Sequence, residues 1–306
     1  MRHESPSTGN GSLFPADHDE SRHVPGIARV GGYRKRPAGN NRIVPEGEFA
    51  PEKIDNRPVA HIRLSTDVTV KKDSLFSHVL KRRTNRETYE IRDIPEEAFR
   101  DTEASVATYP IRLGCVGMNE PDLLHTHRAI AAEAWRIEMV TSRTIMESYR
   151  LLSIGPDEIA KYRDGISLNK PLIRLLVATG LFDRSRVPGP DDSGIKNQIE
   201  DFNVKLDKTP AFFWMITEGN DRKTPVKAGR AYARAQLSAT KHGSSMQPIS
   251  QALQECPEQA KPYSETHQLL DAPAPRYTVQ MWARLGYAPV IRPSPRRGLA
   301  EHIIKA

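Results

Sequence analysis

Two short basic clusters in this chain have the residue types and spacing to hold an anion. Arg82-Arg83-Thr84-Asn85-Arg86 sets arginines on either side of a hydroxyl, and Arg296-Arg297 follows a proline-rich turn near the carboxyl end. Each guanidinium presents a planar fork of donors that matches a phosphate, and a hydroxyl adds one more donor. The same residues also read as solvated basic ends, since a helix carboxyl terminus favours cations and a basic tail needs no ligand. Other chemistries are not declared. No Ser/His/Asp, Cys/His or paired-carboxylate set stands out, and no G-x-G-x-x-G fingerprint is present. The two cysteines, Cys115 and Cys256, lack metal-type spacing and read as ordinary thiols. His18 and His23 lack further ligands for a metal, and His125 and His127 would point apart on a helix.

The elements that must position these clusters follow from periodicity. Ala60, Ile62 and Leu64 alternate with polar residues, which predicts a short strand over 57–64. Asp73-Ser74 offers N-cap chemistry to a helix carrying Leu75, Phe76, Val79 and Leu80, and that helix runs into the first cluster. Pro95-Glu96-Glu97 starts another helix. From Pro121 to about Leu152 the apolar stripe predicts one long helix, and residues 172–181 a further one. Residues 187–194 form a loop.

Residues 211–217 are a continuous apolar run between Pro210 and Gly219, which predicts a central strand buried on both faces. Thr224-Pro225 then opens a small-sided helix rich in alanine, closed by Gly243, thin enough to lie against a neighbouring helix or a flat ligand. A loop over 244–251 follows. Tyr277 to Leu285 alternates, predicting a strand with Tyr277, Val279, Met281, Ala283 and Leu285 on its buried face. This order argues an α+β fold with a mostly covered sheet.

Composition narrows the function classes. A chain of 306 residues with 38% hydrophobic and 27% charged residues fits a globular protein, and no apolar run approaches the roughly 18 residues of a membrane span. The amino terminus has no apolar secretory core, so the chain as it stands is expected in the cytoplasm. The net charge of +7 is spread rather than clustered and carries no nucleic-acid motif, so nucleic acid is not the expected partner; an anionic cofactor suits it as well. Residues 1–50 carry only isolated apolar residues and are expected to be a poorly ordered arm.

Taken in order, the segment 82–86 after a first helix, the thin helix 228–243 with its Met246-Gln-Pro-Ile-Ser250 loop, and the strand leading to Arg296-Arg297 resemble the nitroreductase-like FMN oxidoreductases. The similarity is greatest to the group known as Acg-type and covers roughly residues 57–306. It implies a nitroreductase-like α+β fold with a central mixed β-sheet flanked by helices. It further implies that Arg82, Thr84 and Arg86 with Arg296 and Arg297 hold the FMN phosphate, while Pro248, Ile249 and Ser250 lie along the ring system. By resemblance, electrons pass from NAD(P)H through FMN to a quinone- or nitro-type small-molecule acceptor, without a side-chain acid or nucleophile. Acg-type chains usually carry two related halves, often behind an export leader. Residues 51–74 then stand as the remnant of a first half and 75–306 as the nitroreductase-like domain. A homodimer is left open, as is a non-catalytic flavin-binding role.

Overall fold

The computed structural model describes residues 35–37, 42–50, 53, 55–66, 71–189 and 191–304. Most of the expected amino-terminal arm, with His18 and His23, lies outside the described residues. The elements run β1 (Lys35–Pro37), β2 (Arg42–Ile43), β3 (Ala60–His61), β4 (Leu64–Thr66), α1 (Glu96–Val106), β5 (Arg112–Val116), α2 (Pro121–Val140) and α3 (Ser142–Arg150). They continue through β6 (Leu152–Ile154), α4 (Gly155–Tyr162), β7 (Ile166–Leu168), α5 (Pro171–Ala178), α6 (Ser193–Asp207), β8 (Ala211–Glu218), α7 (Lys223–Lys241), β9 (Ser245–Pro248), α8 (Ala260–Leu269) and β10 (Tyr277–Gly286).

The fold is α+β, as the sequence implied. A four-stranded sheet in the order β5-β8-β10-β9 is antiparallel throughout, and a parallel bridge from Thr84 to Met246 makes it mixed at its β9 edge. The period of two in β8 divides its side chains between two cores. Phe212 and Ile216 face a layer with Ala131 and Ala134 of α2 and Phe202 and Leu206 of α6. Ala211, Phe213 and Met215 face Ala98 of α1 and Ala231, Ala235 and Ala239 of α7. The thin helix is thus a core helix packed between α1 and the sheet. Asp221 caps its start, accepting from the Lys223 and Thr224 amides at 3.1 and 2.7 Å, and Gly243 ends it at φ +74°.

Five expectations change. The strand over 57–64 is two short ones, β3 and β4, with Ile62 exposed between them, and the loop over 244–251 holds strand β9 and a 3-10 turn, Gln251–Leu253. The first helix is a short 3-10 turn, Ser74–His78, although Asp73 caps it as read, accepting from the Leu75 amide at 2.9 Å. The long helix is two, α2 and α3, broken at Thr141, which is extended (φ −86°, ψ 111°). The hydroxyl of Thr144 donates to the carbonyls of Glu138 and Thr141 there, which holds the break. Strand β10 is buried on both faces. A register shift between Val279 and Met281 inserts an extra residue, so Val279 joins Trp282 in one core while Met281, Ala283 and Leu285 face the other.

His125 is exposed and His127 fully buried, pointing apart as helix geometry requires. His127 Nδ1 accepts from Trp282 Nε1 at 3.0 Å, and its ring stacks on Phe212 and Trp214 at 5.1 and 5.2 Å. Burial pushes its pKa from 6.5 down to about 4. Because the folded value lies below the unfolded one, the unfolded chain takes up the proton first as pH falls. Stability is therefore expected to decline from about pH 6.5 and level off below about pH 4, by up to roughly 3 kcal/mol for this group. Urea unfolding across that range should show a flatter pH profile in His127→Gln than in the wild type; identical profiles would assign the acid sensitivity elsewhere.

Candidate functional site

The edge strand β9 lies beside the 82–86 segment and leads into Pro248, Ile249 and Ser250. It pairs with β10 on one side, with Gln247 opposite Arg284 and Ser245 opposite Gly286. On the other side Thr84 bridges to Met246, and the Asn85 amide donates to the Met246 carbonyl at 3.3 Å. Arg82, Thr84 and Arg86 are thereby brought alongside the strand that leads into Pro248, Ile249 and Ser250. Ile249 itself is a core residue, 1% exposed, with its amide bonded to the Trp282 carbonyl at 2.7 Å. Pro248 and Ser250 are half-buried.

The residue that fixes the 82–86 segment is Asn85, which sequence reasoning passed over. It is 2% exposed, its Nδ2 donates to the Pro289 carbonyl at 2.9 Å, and its Oδ1 accepts from the Glu87 amide at 3.0 Å. The Tyr89 hydroxyl donates to the Asn85 carbonyl at 3.0 Å, and burial pushes the Tyr89 phenol up to about 12. Tyr89 leaves no room for a side chain at position 286. A Cβ there would meet Tyr89 Cδ2 at 2.5 Å, so Gly286 is required by a close approach. Asn85 stands in the quoted segment, but its anchoring role was not legible, because its partner Pro289 lies far along the chain.

The arginines differ in setting. Arg82 is half-buried and donates from Nη1 to Gln236 Oε1 at 3.1 Å. Arg83 turns back to the Leu80 and Arg82 carbonyls at 2.8 and 2.7 Å, and Arg86 is exposed. Arg284 is fully buried. Its Nε donates to Gln247 Oε1 at 2.6 Å, its Nη2 to the Glu87 carbonyl at 2.7 Å, and its guanidinium lies 4.0 Å from the Tyr89 ring centre. Sequence alternation placed Arg284 opposite the buried face. That second face is covered as well, by the Tyr89 segment, which buries Arg284.

Arg296 and Arg297 lie on the tail that follows β10. The tail leaves β10 beside the segment, where the Glu90 amide donates to the Tyr287 carbonyl at 2.8 Å. Farther on, both arginines are exposed. Arg296 donates to the Pro295 carbonyl at 3.0 Å, and Arg297 meets Asp164 at 3.4 Å.

A phosphate dianion suits the β9 edge. Arg82, Thr84 and Arg86 lie on the segment that bridges to this edge, and the buried Arg284 bonds its Gln247. Three polar atoms buried there, Gln236 Nε2, Ser244 Oγ and Arg284 Nη1, have no hydrogen-bond partner, and native structures contain few such atoms. A separate open cavity of about 450 Å³, lined by Gln254, Cys256 and Tyr263 among others, includes none of these residues. Cys256 and Cys115 are both free thiols, and burial pushes the Cys115 thiol up to about 12. Among the described residues no cluster of His, Cys, Asp or Glu could hold a metal, and no helix is long and apolar enough to cross a membrane.

No family model matches the chain, and no curated protein does. Among solved structures it is similar to the FMN-dependent nitroreductase NfnB from Mycobacterium smegmatis in complex with NADPH, at 18% identity over 76% of this chain and 98% of that one, with a TM-score of 0.46. It is also similar to a nitroreductase with bound FMN from Bacteroides fragilis, at 13% identity over 76% and 99% of the two chains and a TM-score of 0.44. A third is iodotyrosine deiodinase bound to FMN and 3-iodo-L-tyrosine, at 15% identity over 76% and 97% and a TM-score of 0.42. These likenesses are too distant to assign a role to any residue.

Proposed function

We propose that the chain is an FMN-dependent oxidoreductase of nitroreductase type, of the Acg-type group, taking electrons from NAD(P)H to a quinone- or nitro-type acceptor. The observation that carries this reading is the meeting of the Arg82–Arg86 segment with the Met246–Ser250 stretch of β9 and the turn after it along one sheet edge, with a buried arginine beside them. A flavin phosphate bears about two negative charges near pH 7, which charged donors on Arg82 and Arg86 and the Thr84 hydroxyl would hold. Pro248, Ser250 and the backbone at Ile249 would lie beside the ring. When bound, the flavin supplies the redox chemistry, and the protein supplies position and shielding. The segment 51–74 stands in this reading as the end of a first half, and a homodimer as the assembly.

Arg296 and Arg297 are proposed to close on the phosphate from the tail. The Arg297–Asp164 pair is about half exposed on both sides, and pairs of that kind are weak enough to exchange for a dianion. Alanine at both positions is expected to weaken FMN binding at least about ten-fold, given roughly 1.5–3 kcal/mol per charged hydrogen bond. An unchanged titration would remove the tail from the site.

The reading is tested on the purified full chain by flavin titration followed by anaerobic addition of NADH or NADPH. A yellow protein bleached by the nicotinamide and recoloured by a quinone is the expected result. Yellow protein that stays unbleached would make the chain a non-catalytic flavin holder. A colourless protein at every flavin concentration would overturn both.

A further inference from the structure

We infer that Arg284 is the positioning residue of the anion site, fixing the Arg82–Arg86 segment and the Met246–Ser250 stretch at the spacing a phosphate needs and adding a buried positive charge behind them. The inference rests on the flavin-phosphate reading and deepens it. The Arg284 fork reaches two separate pieces of chain, holding Gln247 at 2.6 Å and the Glu87 carbonyl at 2.7 Å, while the Tyr89 ring covers it. Tyr89 in turn holds the Asn85 carbonyl. One side chain therefore couples both ligand-facing segments to the central strand.

Its electrostatics are unbalanced. A buried cation is costly unless a bonded anion compensates it. No carboxylate among the described residues bonds Arg284, and its Nη1, wholly shielded from solvent, has no partner. Burial lowers its pKa, the Tyr89 and Glu87 groups oppose this, and the Arg86 charge adds to it. An anion bound beside the guanidinium would compensate the buried charge.

The test compares wild type, Arg284→Met and Arg284→Lys by titration with FMN and with riboflavin, which has the same ring system and no phosphate, and by thermal melting with and without inorganic phosphate. Arg284→Met is expected to weaken FMN binding at least about ten-fold, to change riboflavin binding less than about two-fold, and to lose the melting-temperature rise that phosphate gives the wild type. Arg284→Lys, which restores charge without the fork, is expected to recover part of the FMN preference. Equal losses for both flavins would make Arg284 a core residue only and overturn the inference, as would failure of both variants to fold. If the wild type binds neither flavin, the functional reading fails, and phosphate melting then decides: a response lost only in the variants supports the role of Arg284. An equal response, or none in the wild type, refutes it.

Discussion

Alanine at both Arg82 and Arg86 is expected to reduce FMN affinity at least about a hundredfold while leaving riboflavin affinity within about three-fold. Each charge-assisted hydrogen bond to a phosphate contributes roughly 1.5–3 kcal/mol, and the two together exceed two decades in the dissociation constant. The effect should be specific because neither side chain holds up the core. Asn85, between them, is the residue that anchors the segment. Arg82 also donates to Gln236, so the single Arg82→Ala exchange carries a small stability loss. Flavin fluorescence titration checks the pair. A double variant that binds FMN as the wild type does would withdraw both residues from the phosphate.

Trp282→Ala is expected to have the largest effect on stability, at least about 4 kcal/mol. Trp282 is fully buried, lies 5.6 Å from the ring centre of Phe212, and donates its indole N–H to His127. Truncation of a buried tryptophan costs about 3–5 kcal/mol, and the His127 nitrogen left without its donor adds about 1–3 kcal/mol. Set against the typical 5–15 kcal/mol of a folded domain, that is a large share. Trp282→Phe, which keeps most of the ring volume, should lose markedly less. Guanidinium unfolding measures both; a loss under about 1 kcal/mol in the alanine variant would show that the two-ring contact does not pin the core.

Periodicity made the skeleton legible. The run from Ala211 read as a central strand because both of its faces are covered, and the alanine-rich helix with its closing Gly243 read correctly because small side chains and a left-handed glycine are local signals. Helix α6 was also readable, from Ile195, Ile199, Phe202 and Leu206, but its many polar residues hid the stripe. Strand β5 was not. Its Gly114 breaks the alternation, and only the structure shows why, since a Cβ there would meet the Trp214 ring at 2.4 Å. In the site, the 82–86 cluster and the loop after Met246 were visible as residue types. Arg284, Asn85 and Tyr89 were not, because their roles come from contacts such as Asn85 with Pro289 and Arg284 with Glu87 that no local pattern announces.

The additional residue in β10 sets the phase of everything after it. The front of the strand and its back half are out of step by one position, and only the back half carries the guanidinium toward β9. A chain trimmed by one residue at Gln280 would pair with β8 without a shift, both halves in step. Homologous chains without the insertion should therefore carry their inward cation one position closer to the residue equivalent to Val279.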